Sequence, residues 1–337
     1  MTDNTWPTVD TELIDDVTLY SAKLIIPVTG PVIIDGAVAI HGDRVVHVGK
    51  RRWVLKALKQ EMTAHGTIHE RHWDGVLTPG LINAHTHLQY SGMVQVGQGT
   101  YDRFRAWELA FNEVYAEAQK TQPWKQWAED GARQMVESGT TAAADIVTDL
   151  DAAGALASQG MHGIAYWEVM GWHNAEWMEK GRTELIRQLR RMNEEQLPNL
   201  GISPHAPYTL ESEPFVDLPD IARQLNMRLH IHLAETPLEA GTYPPVLTTY
   251  SAADWSDHDW ESYRQLKEVG KGASAIQFVD QLGSLGPDVH IAHGVWANGE
   301  DRRILRQRGV GVALCPRSNR ITNTGKDAPV RRRSGSV

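Results

Sequence analysis

The sequence contains one cysteine, Cys315, in 337 residues. A disulfide within the chain is therefore excluded, and so is a zinc site built from several thiolates. Long apolar runs are missing as well. No stretch approaches the 18 residues that a membrane-spanning helix needs, and residues 1–16 are acidic and polar, without the basic-then-apolar order of a secretory leader. Positive charge is in deficit: 33 Lys and Arg stand against 42 Asp and Glu, a net charge of −9. That balance leaves no electrostatic footprint for nucleic acid, and the one basic run, Arg331-Arg332-Arg333, reads as a solvated tail. With 41% apolar and 22% charged residues, the chain reads as a soluble globular protein with a substantial core. The cytoplasm is its expected compartment, with no membrane and no nucleic acid as partners. A small-molecule substrate is expected, and a homo-oligomer is compatible with the sequence. Fifteen histidines and twelve tryptophans exceed ordinary usage, so their spacing matters.

Two patterns divide the chain. Residues 17–26, 32–40 and 44–48 alternate β-branched side chains between glycine-bearing turns, as in a small antiparallel sheet, with a short helix over 52–63. From residue 71 onward, apolar strand-like runs alternate with helical segments. The runs begin near residues 76, 140, 162, 200, 228, 289 and 310, and one long helical stretch covers 101–138. Alternation of this kind implies a parallel sheet. Seven such strands suit an α/β chain of the TIM type, a (β/α)8 barrel that is incomplete because the eighth strand is missing. A doubly wound sheet is the alternative, disfavoured because no glycine-rich phosphate fingerprint follows the first strand. The expected organisation is residues 1–70 as a partial β-sandwich and 71–337 as the barrel. Residues 236–272, rich in Pro, Gly, Thr, Ser and Asp, read either as a lid or as a surface insertion.

Histidines recur where strands end. The run Pro79-Gly80-Leu81-Ile82-Asn83-Ala84-His85-Thr86-His87 closes the first barrel strand. Residues i and i+2 of a strand share a face, so His85 and His87 present two imidazoles side by side at the end where barrels keep their active sites. Two neutral imidazoles suit Zn²⁺ or another borderline divalent metal. A bare pair is more often structural, but three further clusters lie at other strand ends. His230-Ile231-His232-Leu233-Ala234-Glu235 repeats the pairing and adds a carboxylate able to move a proton between water and a leaving group. His230 reads as a supporting or core residue there. His290-Ile291-Ala292-His293 and Ser203-Pro204-His205-Ala206-Pro207-Tyr208 complete the set. The motif H-E-x-x-H is absent, as is the H-x-E with P-C-x-x-C of cytidine-type deaminases.

These segments, together with Ala292-His293-Gly294 and Cys315-Pro316-Arg317-Ser318-Asn319, resemble the amidohydrolase superfamily in order along the chain. Its aminohydrolase branch is the nearest, with methylthioadenosine/S-adenosylhomocysteine deaminases, aminofutalosine deaminases and triazine chlorohydrolases. The resemblance implies one divalent metal ion, Zn²⁺ first and Fe²⁺ second, held by His85, His87 and His232. It implies Glu235 as proton shuttle, His293 as the group that orients or deprotonates the attacking water, and His205 as a substrate contact. Trp107 is a candidate to stack on a substrate ring. In the implied chemistry the metal lowers the pKa of its water from about 15.7 toward about 7, and the hydroxide attacks a ring carbon bearing an amino group. The substrate would be an aminated purine nucleoside-like compound. Aminofutalosine is slightly favoured over methylthioadenosine or adenosylhomocysteine, from the likeness of residues 85–102.

One departure stands out. The family's fourth ligand is an aspartate in a Gly-Thr-Asp setting on the eighth strand. The sequence has no such motif, and Asp327 does not match it. A truncated or frame-shifted product is the expectation from this reading. The rival functions are a chlorohydrolase or amine-releasing hydrolase acting on a triazine-like ring, and an inactive amidohydrolase fragment.

Overall fold

A computed structural model describes residues 14–195, 197, 199–241, 266 and 269–324. Contacts divide the chain into two compact units, Met1–Gly80 and Leu81–Val337. Most of the stretch read as a lid or insertion (242–265, 267 and 268), Asp327 and the basic tail lie outside the described residues. Among the described residues no helix is long and apolar enough to cross a membrane.

The first unit is a four-stranded sheet in the order β3-β2-β1-β4, from β1 (Ile14–Ile25), β2 (Ile33–His41), β3 (Arg44–Lys50) and β4 (Met62–Leu77). One face of the sheet is covered by the helix Arg51–Glu61. Val54 and Leu58 of that helix pack on Val17, Leu19, Ala37 and Ala39, which alternate along β1 and β2 as period-2 patterning requires. The sheet is not wholly antiparallel as expected: β4 pairs parallel to β1. The helix between β3 and β4 supplies the crossover that parallel pairing needs. β4 also claims residues 75–77, which the sequence assigned to the first barrel strand. Pro79 and Gly80 follow, and proline has no N–H to continue a ladder. The contact division accordingly falls after Gly80 and not at residue 70.

The second unit is a sheet of seven parallel strands in sequential order: β5 (Leu81–Thr86), β6 (Thr140–Val147), β7 (His162–Val169), β8 (Leu200–Pro204), β9 (Arg228–Leu233), β10 (Val289–His293) and β11 (Gly311–Ala313). They form a nearly closed barrel, the incomplete TIM barrel that the strand pattern predicts. The expected single helix over 101–138 is two, Phe104–Thr121 and Trp124–Glu137. The chain reverses between them at Gln122, whose φ is 50°, and at Pro123. The core joins the strand residues Ile202, Leu229, Ile231 and Ile291 to Phe215 and Leu218 of the helix Ser212–Gln224 and to Trp177, all buried. Trp177 keeps its indole N–H satisfied by donating to Asp217 Oδ2 at 2.9 Å.

Two glycines are fixed by backbone geometry. Gly139 ends the helix Trp124–Glu137 at φ 83° and turns the chain into β6. Gly163 in β7 has φ 134°, and a Cβ there would lie 1.9 Å from the carbonyl oxygen of Ala143 on β6. Gly163→Ala should therefore destabilise the barrel by about 2–4 kcal/mol through strain and overpacking. A urea titration should show the midpoint falling with little change in slope.

Candidate metal centre

The described barrel gathers these histidines and carboxyls toward the C-terminal ends of the strands. His85 lies on β5 with His87 one residue past it. His232 lies near the end of β9, and His293 is the last residue of β10. The ring centres of His85 and His87 are 5.0 Å apart, those of His85 and His232 4.8 Å, and those of His87 and His232 5.4 Å. One ligand atom from each of the three lies within 4.8 Å of those of the other two.

Hydrogen bonding fixes which nitrogen carries the proton. His232 Nδ1–H donates to the carbonyl of His205 at 3.1 Å, so its Nε2 carries a lone pair. That Nε2 lies 3.3 Å from His87 Nε2. His230 Nδ1–H donates to the carbonyl of His290 at 3.0 Å, which makes His230 Nε2 an acceptor for His85 Nδ1–H at 2.9 Å. His85 Nε2 is thereby left with its lone pair. This is the second imidazole of the His230/His232 pair in the supporting place that the sequence assigned to it. Burial, reinforced by neighbouring imidazoles, pushes His85 and His232 well below the usual histidine range and His87 down to about 3. The same desolvation brings His230 to about 3 and His205 to about 4. Three neutral imidazoles with converging ring nitrogens fit a borderline divalent cation. Their donor set is nitrogen alone, and hydrogen bonds hold His85 and His232 in the tautomers that ligation requires. Cys315 also approaches His85 and His293, but its thiol donates to the Ala313 carbonyl and burial lifts it to about 11.

Beside the imidazoles stands an acid–base pair. Glu235 is buried, with Oε1 at 3.5 Å from His293 Nε2 and Oε2 accepting from the Tyr208 hydroxyl at 3.4 Å. Burial raises Glu235 to about 8. His293 is oriented by Asn319: Asn319 Nδ2 donates to the Leu314 carbonyl at 2.7 Å, so its Oδ1 accepts from His293 Nδ1–H at 2.7 Å. The Nε2 lone pair of His293 therefore faces Glu235. His205 sits next to this group, 4.9 Å ring to ring from His232 and 5.5 Å from Tyr208. Trp107 packs at a tilt against Phe104 and Phe111, and it is Phe104 that meets Tyr208. The structure thus brings His85, His87, His205, His232, Glu235 and His293 together. It puts Trp107 one aromatic ring further out.

Several residues to which sequence reasoning gave no role hold the site. Asp145, buried at the end of β6, accepts the N–H of Leu88 at 2.8 Å and so anchors the turn that follows His87. Asn319 closes the Cys315–Asn319 motif, whose residues carried no individual role in the sequence. Glu239, fully buried, accepts the N–H of Ala234 at 2.8 Å, of Glu235 at 2.9 Å and of Thr236 at 2.8 Å. It stabilises a turn in which Ala234 takes φ 53°, a left-handed conformation costly for a residue with a Cβ. The S/T-x-x-E spacing of Thr236 and Glu239 is the one local signal that could have revealed it.

Residues 76–243 match the model of the amidohydrolase family. This chain belongs to that family. A 5-methylthioadenosine/S-adenosylhomocysteine deaminase of Thermococcus kodakarensis is 30% identical over 250 residues, 72% of this chain and 52% of the relative. The chain thus spans about half the length of that curated relative. An adenosine deaminase of Xanthomonas campestris, solved with bound zinc, superposes with a TM-score of 0.67 at 22% identity, covering 93% of this chain and 65% of that one. Helicobacter pylori aminofutalosine deaminase in complex with methylthio-coformycin gives 0.69 at 17% identity, covering 92% and 72%.

Glu239→Gln replaces one of two acceptor oxygens by an N–H2, which then faces at least one of the three backbone donors. Leaving such groups unsatisfied costs about 1–3 kcal/mol. Hydrogen exchange at Ala234, Glu235 and Thr236 should accelerate roughly tenfold to hundredfold in this variant, since about 1.4 kcal/mol corresponds to a factor of ten.

Proposed function

We propose that this amidohydrolase-family chain carries the metal-binding barrel of a hydrolase acting on carbon–nitrogen bonds other than peptide bonds. In this reading it releases ammonia from an aminated purine nucleoside-like compound. The observation that carries the reading is the convergence of ring nitrogens from His85, His87 and His232 beside the buried Glu235–His293 pair. The substrate class rests on the names of the relatives, which are deaminases of methylthioadenosine, adenosylhomocysteine and deoxyadenosine. Cytoplasmic metabolism suits such a substrate.

His85, His87 and His232 would hold one divalent cation, zinc first by its softness toward imidazole, and the cation would supply Lewis acidity toward water. Glu235 is the proton carrier. Raised to about 8, its carboxyl holds a proton at neutral pH and can hand it from Oε1 to the departing nitrogen. The Tyr208 hydroxyl keeps Oε2 in place, so that Oε1 is the atom that moves protons. His293 accepts a proton at Nε2, because Asn319 holds the other ring proton at Nδ1. His205 contacts the substrate ring. Trp107 contributes through the aromatic group it forms with Phe104, stacking or lining the approach.

The test is an ammonia-release assay with zinc-loaded protein against a panel of 6-aminopurine nucleosides. A chlorotriazine serves as the rival substrate, read by chloride release. Nucleoside turnover is expected, and chloride release without it would reverse the substrate assignment. Glu235→Gln should lower kcat by about 10²–10⁴-fold while zinc content stays at the parent level. His232→Ala should lose zinc and turnover together, and retained zinc there would remove the β9 ligand from this reading.

A further inference from the structure

Hydrogen bonds fix the rings of two of the three assigned ligands and leave the third. His232 is held at Nδ1 by the His205 carbonyl, and His85 at Nδ1 by the ring of His230. His87 has no such hold. Its Nδ1 is buried and without a hydrogen-bond partner among the described residues, while its Nε2 meets the Nε2 of His232 at 3.3 Å. The torsion that turns an imidazole about Cβ–Cγ is broad, so hydrogen bonds or packed faces must set the direction of the ring. For His87 the structure offers faces. Tyr90 lies near-parallel to it, with ring centres 5.7 Å apart and planes at 20°, and His232 does the same at 5.4 Å and 22°.

Tyr90 is itself held firmly. It ends the short turn Leu88–Tyr90, which is closed by a bond from the Tyr90 N–H to the carbonyl of His87 at 3.0 Å. The other two residues of the turn pin it to the end of β6. Leu88 N–H donates to Asp145 Oδ1. The buried Gln89 forms a reciprocal pair with Thr148: its Nε2 donates to Thr148 Oγ1 at 2.6 Å, and its Oε1 accepts the Thr148 N–H at 2.8 Å. Three aromatic rings then pack near-perpendicular to Tyr90, Phe111 at 5.1 Å and Tyr115 and Trp124 at 6.1 Å each. Edge-on contacts of this kind are a favoured arrangement of aromatic pairs. The Tyr90 ring therefore cannot swing away from His87 without breaking several contacts at once.

We propose that Tyr90 is a positioning residue of the metal centre: its ring face keeps the His87 imidazole turned with Nε2 toward the cation, the task that hydrogen bonds perform for His85 and His232. The inference rests on the reading of those three histidines as ligands. The role falls to the ring and not to the hydroxyl, which lies 3.5 Å from Thr148 Oγ1, long for a hydrogen bond between oxygens. The clasp between Gln89 and Thr148 gains a purpose as well, because it sets where Tyr90 stands.

The experiment is a zinc titration of the metal-stripped full chain in competition with a chromophoric chelator. Parent, Tyr90→Phe, Tyr90→Leu and Phe111→Leu are compared, with thermal unfolding of each metal-free form to establish folding. Tyr90→Phe, which keeps the ring, should bind zinc as tightly as the parent. Tyr90→Leu should bind about tenfold more weakly, the scale of losing a partner behind a ligating histidine. Phe111→Leu removes a ring of the same cluster but leaves the stack on His87, and it should bind more tightly than Tyr90→Leu. Unchanged affinity in Tyr90→Leu overturns the proposal, as does an equal loss in Tyr90→Phe or Phe111→Leu. A measurement on the metal-free parent needs no variant and decides the matter if Tyr90→Leu fails to fold. NMR of isotope-labelled histidine should show one sharp set of His87 ring signals, moved upfield by the ring current of Tyr90. Several sets, or no upfield shift, overturn the proposal. A parent chain that keeps this signature but binds no zinc would refute the ligand reading, and the role of Tyr90 with it, a result distinct from any difference among the variants.

Discussion

The constraint on which the site depends is that a cluster of imidazoles can be buried together only if every ring stays neutral. His85, His87, His205, His230, His232 and His293 lie at one end of the barrel, and desolvation is the largest influence on each, holding all of them below the ordinary histidine range. A neutral imidazole is one donor and one acceptor, so each ring must be told which nitrogen keeps its proton. For His232, His230 and His293 the barrel does this with the carbonyls of His205 and His290 and the side-chain amide of Asn319, and for His85 with the His230 ring. Metal affinity and proton transfer are therefore properties of the sheet edge as much as of the histidines.

That edge is held in conformations that a relaxed chain would avoid. Ala234, His293 and Cys315 all have positive φ, 53°, 74° and 49°, at or within two residues of the ends of β9, β10 and β11. Each costs free energy, and each persists because neighbouring bonds overdetermine it. Ala234 is gripped from both sides, its N–H by Glu239 and its carbonyl by the N–H of Trp296. The left-handed turn at Ala234 carries the chain from His232 to Glu235, so one short segment delivers both a ligand and the proton carrier. Distributing the strain over three adjacent strand ends, each with its own anchor, keeps any one of them from being the weak point.

The sequence was legible where chemistry follows local periodicity. Six of the seven barrel strands begin at or next to the residue their apolar runs suggested, and the i, i+2 pairing of His85 with His87 and His230 with His232 follows from strand geometry alone. It was illegible where a residue's role is set by a distant partner. Asp145 serves Leu88 across 57 positions, His230 serves His85 across 145, and Asn319 serves His293 across 26. Nothing in the immediate surroundings of Glu168 in β7 marks it as facing His232. The boundary between β4 and β5 was misplaced for a different reason. Residues 73–77 are as strand-like as residues 81–86, and only pairing with β1 decides that they belong to the first sheet. Trp107 shows the opposite limit: an aromatic side chain is common, and its packing on Phe104 and Phe111 could not be anticipated from spacing.

The arrangement also explains why the two buried acids cannot be exchanged. Glu235 must gain and lose a proton, so it is placed against an imidazole lone pair and a hydroxyl, partners that tolerate either charge state. Glu239 faces only N–H and O–H donors, which hold it still and work against the burial that raises it to about 7. Glu168 Oε1 has no hydrogen-bond partner among the described residues and stands 3.8 Å from His232 Nδ1 and 3.9 Å from His205 Nε2. Glu235 and Glu239 are thus differentiated by the hydrogen atoms around them: donors make an anchor, and a mixed pair makes a proton carrier.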